Sequence, residues 1–328
     1  MRARESGCGP EARKSCPVTR TVFLGTPAFA VPSLEAVRRL SDRGTLELVA
    51  VVTQPDRIGN RGRLSVPAVK ERALALGVPV LQPARIDAAA LNEIMALRPE
   101  LLVWAAYGNR IPRTLLASVN GLAVNVHASL LPRWRGAAPI AHAILAGDRE
   151  TGITLMEGTG GLDEGPILAQ ERTRILETMD TGFLTDRLAE LGATLLEREL
   201  ARYLAGKLHP RPQDGSKATL APRLTTGQGE LDFSRPAEDL SRQVRAFTPD
   251  PGAWTIFRGR RLVIRSAWVK GGAPKEHGVI EIRERFPHVA AGAGWLDIRE
   301  VVPEGKQWMT GRDWANGIRD LEGARLPS

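Results

Sequence analysis

Asn125 and His127 stand two residues apart at the end of an apolar run, residues 121–126, that reads as a short β-strand. A strand turns every second side chain to the same face, so the amide and the imidazole share one. An amide N–H can donate to an oxygen that gains negative charge, and an imidazole can take or give a proton near neutral pH. Pro132 and Gly136 then force a turn, and Pro139 opens a helix over 140–145. In open α/β sheets ligands bind beyond the carboxyl ends of the strands, where this pair falls. A further group, Asp163, lies in the stretch 157–166 among four glycines, Gly158, Gly160, Gly161 and Gly165. Such glycines let backbone approach a ligand closely, and they equally build a hairpin with an ordinary turn aspartate. By residue type alone, Asn125 and His127 fit a strand-end amide and a satisfied, partly buried histidine just as well.

The elements that must position these groups alternate strand and helix. Apolar runs at 21–24, 46–53, 79–81, 101–106, 152–156 and 167–175 read as strands, and 32–40, 67–76, 88–97 and 181–204 as helices. In the last of these, Leu184, Leu188, Leu191, Leu195 and Leu200 recur near helical spacing. Strands this apolar belong to a sheet covered on both faces, so the expected class is α/β, a Rossmann-like, mostly parallel sheet with flanking helices. The turn after the first strand, Gly25-Thr26-Pro27, has a single glycine and a proline. The dinucleotide-binding G-x-G-x-x-G is therefore absent, which disfavours an NAD-dependent oxidoreductase.

Residues 206–222 hold three prolines and few apolar side chains, and read as a linker between a domain at 20–205 and a second at 223–328. The second is β-rich after a helix at 236–246, with strands at 253–257, 261–269, 278–282 and 295–302, and fits a small barrel. Arg258, Arg260, Arg261 and Arg265 form its candidate phosphate-tracking surface. A second cationic stretch, 54–63, carries Arg57, Arg61 and Arg63 with two glycines and a proline, and on residue type alone is a solvated surface loop. Net charge is 45 − 37 = +8 with a pI near 10, which points to an anionic partner. No run approaches the length of a membrane span. Cys8 and Cys16 are the only cysteines, too few for a disulfide framework or a metal cluster, so a reducing compartment and no metal are expected. Residues 1–19 lack Leu, Ile and Phe and read as a disordered extension, neither secretory signal nor transit peptide.

The string Asn125-Val126-His127-Ala128-Ser129-Leu130-Leu131-Pro132-Arg133-Trp134-Arg135-Gly136-Ala137-Ala138-Pro139-Ile140 resembles the active-site signature of the 10-formyltetrahydrofolate-dependent formyltransferases. The Trp134 to Pro139 ending is most similar to the members that formylate methionyl-tRNA. Gly25-Thr26-Pro27-Ala28-Phe29-Ala30, Tyr107-Gly108-Asn109-Arg110-Ile111-Pro112 and Gly161-Leu162-Asp163-Glu164-Gly165 match further motifs of the family, and the likeness runs from about residue 20 to 325. It implies Asn125, His127 and Asp163 as the catalytic set. Tyr107 and Gly108 would line the pterin, and Ser129, Leu130, Leu131 and Pro132 would form a folate-contacting turn. It further implies an OB-like second domain and a tRNA-sensing loop in which Arg61 is the best-matched arginine. The co-substrate is then 10-formyltetrahydrofolate and the acceptor methionyl-initiator tRNA, met by a monomer in the bacterial cytoplasm.

Formyl transfer builds negative charge on the formyl oxygen, and donors such as Asn125 and His127 are worth about 3 kcal/mol each in comparable sites. Asp163, bonded to His127 directly or through water, would fix its tautomer, and the two would relay the proton that leaves the amine. The same chemistry serves an amino sugar nucleotide or glycinamide ribonucleotide as acceptor, and a non-catalytic RNA-binding protein would not need the triad. Two features depart from the family pattern. Thr248-Pro249-Asp250-Pro251-Gly252 stands where relatives show Asn-Pro-Trp-Pro-Gly, and the 54–63 loop is slightly shorter.

Overall fold

Seven strands carry the site. The computed structural model describes residues 18–58, 64–119 and 122–327. In chain order its elements are β1 (Thr19–Gly25), α1 (Val31–Asp42), β2 (Leu46–Val52), β3 (Arg57–Ile58), β4 (Leu64–Ser65), α2 (Ala68–Ala75), β5 (Val80–Leu81), α3 (Ala88–Ala96), β6 (Leu101–Ala105), α4 (Arg113–Ser118), β7 (Ala123–His127), β8 (Arg135–Gly136), α5 (Pro139–Leu145), β9 (Glu150–Glu157), β10 (Ile167–Arg174) and α6 (Thr181–Leu204). The large sheet has the order β10-β9-β7-β6-β1-β2-β5. The five strands from β7 to β5 are parallel, and β9 and β10 are added antiparallel.

The alternation along each strand feeds two cores. On β1, Phe23 joins a cluster with Leu34 and Val37 of α1 and Leu184 and Leu188 of α6. Its neighbours Val22 and Leu24 join the opposite cluster, with Ile94 of α3 and Leu115 of α4. On β7, Val124 and Val126 point into the first core, while Ala123 belongs to the second. Asn125 and His127, in step with Ala123, therefore share the α3/α4 face of the sheet, as the two-residue spacing requires. Helix α6 begins where Asp180 caps it, the carboxylate accepting from the Phe183 N–H at 2.8 Å.

The chain continues through β11 (Leu220–Ala221), α7 (Ala237–Phe247), β12 (Ala253–Phe257), β13 (Arg260–Lys270), β14 (Ile280–Arg283), β15 (Phe286–Ala290), β16 (Trp295–Pro303), β17 (Met309–Thr310) and α8 (Gly311–Asn316). These strands form an antiparallel sheet, β12-β13-β16-β15-β14, with β17 on β16. It is consistent with an OB-like barrel, but it is not a closed one, because β12 and β14 do not pair. Each edge is covered by flanking chain instead. Leu231 N–H donates to the Trp254 carbonyl on β12, and Ile280 N–H on β14 donates to Ala324. Such covering satisfies the edge as closure would. Helix α7 packs against α5 and α6, so the second sheet is docked on the first domain.

Residues 206–222 run along the first domain. Arg211 exchanges both backbone hydrogen bonds with Ile167, and β11 pairs in parallel with β8. Arg61, Arg63, Gly121 and residues 1–17 of the extension lie outside the described residues.

Gly192 of α6 lets the helix pack closely on β7 behind the site. A Cβ there would stand 2.9 Å from Val126 Cγ1. Gly192→Val is expected to overpack this contact and cost about 1–3 kcal/mol, read as a lower urea midpoint. An unchanged midpoint would mean that helix and sheet yield freely at this point.

Candidate active site

His127 ends β7, and its ring is set by the turn that follows. Its Nε2 lies 3.0 Å from the Trp134 carbonyl. A carbonyl only accepts, so Nε2 carries hydrogen and Nδ1 is the nitrogen that gains or loses the proton. Nδ1 faces Asp163 Oδ2 at 3.6 Å, with His127 buried and only 16% of the Asp163 side chain exposed. That distance is longer than a hydrogen bond, so the carboxylate faces the ring without bonding it and the Trp134 carbonyl fixes the tautomer. Of the two expected arrangements, a bond to Asp163 made directly or through water, the direct bond is not made. The carboxylate is held elsewhere: Oδ2 accepts from the Gly136 N–H at 2.9 Å, and Oδ1 lies 3.4 Å from the Asn125 side-chain nitrogen. Asn125, His127 and Asp163 thus converge on one point.

Three backbone features make this possible. Trp134 is left-handed (φ +64°) and is pinned there, its N–H to Thr219 Oγ1 at 2.9 Å and its indole N–H to Asp148 at 2.7 Å. Gly136 has φ +125°, and a Cβ on it would lie 2.7 Å from the Ala221 carbonyl, so only glycine fits between Asp163 and β11. Asp163 itself has φ +47°. The glycines around it are explained by close packing on protein: a Cβ at Gly158 would strike the Trp104 ring, and one at Gly165 the Glu157 carbonyl.

The triad lines a cleft of about 960 Å³ at the carboxyl ends of β6 and β7. Its walls are largely apolar, with Phe29, Trp104, Ile111 and Met156 among them, and residues 106–111 form part of the lining. Tyr107 and Gly108 are in this wall. The Tyr107 carbonyl is already engaged, accepting from Thr26 Oγ1 at 2.8 Å and Gln54 Nε2 at 3.1 Å. Burial pushes the Tyr107 hydroxyl up from its usual range, which keeps it a neutral donor. This cleft has the size and the mix of apolar wall and few polar groups that suit a heterocyclic ligand. Among the described residues no group of His, Cys, Asp or Glu converges as a metal site.

Ser129, Leu130, Leu131 and Pro132 are not in the cleft wall, which runs through Asn125–Ala128 and resumes at Gly136. Their polar groups are spent inside the protein. Thr154 Oγ1 donates to the Ser129 carbonyl at 2.6 Å and accepts from the Leu131 N–H at 3.0 Å, while Gln170 donates to the Leu131 carbonyl. The turn supports the strand end that carries His127. Of the arginines, Arg57 on β3 donates to Gln54 Oε1, next to the Tyr107 loop. Nearby, hydrogen bonds from Gln82 and then Lys70 hold the Asp56 carboxyl below its usual range. Arg258 donates to the Arg319 and Asp320 carbonyls, and Arg261 stacks on Trp254 at 4.7 Å. Arg260 is exposed, and among the described residues its side chain meets no partner. Residue types gave no hint of one further wall. Thr181 and Thr185 of α6, Arg223 and Leu224 after β11, and Asp250-Pro251 of the second domain complete the cleft. The only signal was the departure at 248–252.

A formyl transferase family profile matches residues 19–200, and the C-terminal domain of formyl transferases matches 223–319. The chain is 43% identical over 308 residues to a methionyl-tRNA formyltransferase of Myxococcus xanthus, covering 93% of this chain and 97% of that one. The chain belongs to the methionyl-tRNA formyltransferase family. A relative of the same name from Halorhodospira halophila is 44% identical over 93% of this chain and 98% of its own. The formyltransferase fold is shared more widely. The N-formyltransferase from Helicobacter canadensis, in complex with folinic acid and dTDP-3-aminofucose, superposes with a TM-score of 0.66 at 16% identity, over 86% of this chain and 98% of that one.

Removing the Thr154 hydroxyl tests the reading of the 129–132 turn as a support. Thr154→Val leaves the buried Ser129 carbonyl and Leu131 N–H without their partner, at about 1–3 kcal/mol for each unsatisfied group. Chemical denaturation should show a loss in that range, with folate affinity changed far less than stability. A selective loss of folate affinity at full stability would make the turn a ligand contact after all.

Proposed function

We propose that this formyltransferase transfers the formyl group of 10-formyltetrahydrofolate to the α-amino group of methionyl-initiator tRNA, with Asn125, His127 and Asp163 as its catalytic residues. The observation that carries the reading is the convergence of a carboxylate, an imidazole with a fixed tautomer and an amide donor on one apolar cleft. The folate supplies the formyl group as an amide on N10. Folate would bind against the 106–111 backbone and the apolar wall, with its formyl carbon brought near His127. The Asn125 amide has a second N–H besides the one aimed at Asp163, and it would meet the oxygen that becomes negative as the amine attacks. Asp163 and His127 Nδ1 take the proton that the amine loses and return it to N10 as the C–N10 bond breaks. The Trp134 carbonyl holds the ring while Nδ1 exchanges that proton.

The acceptor is assigned from the names of the relatives together with the charge of +8 and the second, formyl transferase C-terminal module. A glycinamide ribonucleotide acceptor would need no such module. We read residues 20–205 as the catalytic domain, 206–222 as the connecting segment and 223–328 as the tRNA-binding domain of a monomer acting in the bacterial cytoplasm. Arg57, Arg61 and Arg63 would meet the acceptor end, and Arg258, Arg260 and Arg261 the phosphate backbone, with Arg260 the freest of the second set. Among the described residues no helix is long and apolar enough to cross a membrane.

The deciding experiment supplies 10-formyltetrahydrofolate with charged initiator tRNA, a dTDP-amino sugar or glycinamide ribonucleotide, and measures which acceptor is formylated. Formyl-methionine is expected, and preference for a small acceptor would overturn the assignment. Asp163→Asn and His127→Ala should each lower turnover about a hundredfold or more, with folate affinity retained. Near-wild-type turnover in either removes that residue from the mechanism. Arg61→Ala should cut formylation of the tRNA and weaken its salt dependence while leaving folate affinity alone. Equal loss of both would make the loop a general stability element.

A further inference from the structure

We propose that Gln213 is a positioning residue for Asp163, an inference that rests on the formyl-transfer reading above. Gln213 lies in the 206–222 segment, whose composition reads as a linker. Its side-chain nitrogen donates to the carbonyls of Asp163 at 2.9 Å and Gly165 at 2.7 Å. Its side-chain oxygen accepts from Arg135 Nη2 at 2.7 Å and Nε at 3.2 Å. One amide therefore bridges the two stretches whose relative placement makes the site: the loop that presents Asp163, and the β8 stretch whose Gly136 N–H holds the carboxylate. Asp163 is left-handed, a backbone state that a non-glycine residue keeps only when its surroundings enforce it. The two donations from Gln213 are such an enforcement, made to the carbonyls of Asp163 itself and of Gly165. A primary amide suits this place because it offers two N–H donors and a carbonyl acceptor on one planar group.

The segment that carries Gln213 is itself fastened on both sides of it. Arg211 pairs with Ile167 before it, and after it the Thr219 carbonyl accepts from Arg135 N–H and the Ala221 carbonyl from Ala138 N–H. Gln213 is absent from the cleft wall, so it acts through Asp163 and does not touch the reacting groups.

The test is a double-mutant cycle on the full chain. Wild type, Gln213→Ala, Gln213→Glu, Asp163→Asn and the Asp163→Asn/Gln213→Ala pair are assayed for kcat and KM with 10-formyltetrahydrofolate and charged initiator tRNA. Folate affinity is measured alongside. Gln213→Ala should lower kcat roughly tenfold to a hundredfold, the scale of a small misplacement of a catalytic group, with folate affinity within about twofold. In the Asp163→Asn background the same change should cost almost nothing further, because the group it positions is already disabled. Gln213→Glu keeps the size and the Arg135 contact but turns a carboxylate toward two carbonyls, and should lose kcat as alanine does. It decides the matter if the alanine variant does not fold. Losses that multiply in the double variant, or wild-type kcat in Gln213→Glu, overturn the inference alone. Absence of formyl-methionine with the wild-type protein overturns the reaction assignment and the inference with it.

Discussion

A carboxylate with 16% of its side chain exposed has given up much of its hydration, and the geometry around Asp163 answers that cost. The Gly136 N–H donates to it, the Asn125 amide leans toward it and the His127 ring faces it. None of these three is free to be where it is by itself. Gly136 must be glycine because β11 passes directly over it, and Asn125 and His127 face the carboxylate only because β7 ends in register with β9, where His127 lies opposite Thr154. A strand shifted by one residue would turn both side chains into the core behind the sheet. The site thus depends on a register, and the register depends on the apolar alternation of Val124 and Val126 against α6.

The turn after β7 solves a second problem. On the proposed reading the imidazole exchanges a proton with substrate, and it must then keep its orientation while its charge changes. A carbonyl at Nε2 can do this, since it accepts from the N–H in both the neutral and the charged ring and does not itself titrate. The carboxylate is then left facing the other nitrogen, at 3.6 Å. Holding the Trp134 carbonyl there requires a left-handed tryptophan. The strain, of order 1–3 kcal/mol, is offset by the indole bond to Asp148, the Thr219 bond and the Arg133 guanidinium stacked 4.2 Å over the ring.

What was legible in the sequence follows from this division of labour. Side-chain groups with a periodic context were readable: the shared face of Asn125 and His127, the strands of the large sheet, and α6, whose bounds follow the leucine spacing and the Asp180 cap. Backbone groups were not. No residue type announces that the Trp134 carbonyl sets a tautomer or that the Gly136 N–H holds a carboxylate. Proline and glycine content likewise cannot distinguish a free linker from a fastened strap, so 206–222 hid Gln213. In the second domain β15 was missed because Pro287 sits inside it; α4 in the first domain and α8 in the second were missed because six residues give too few turns for a helical period. The barrel reading counted strands correctly enough to name the class. The open edges are covered instead by contacts from 231 and 323–326, which lie outside any strand pattern.

The walls of the cleft differ in origin. Asn125, His127, Asp163 and the wall at 106–111 all come from the first domain. The opposite wall is assembled from three places: the start of α6, the end of the strap at Arg223 and Leu224, and the Asp250-Pro251 corner of the second domain. These are turns and element ends, free to vary without disturbing β7 or the Asp163 loop. At the corner this chain carries a short anionic side chain where a large aromatic stands in the family pattern, so both stacking area and charge differ at the rim. On the proposed reading, an acceptor would enter between these walls and bring its amine to Asn125, His127 and Asp163 past the rim. On that reading the wall that meets the acceptor is built at the junction of the domains, apart from the strand ends of β6 and β7.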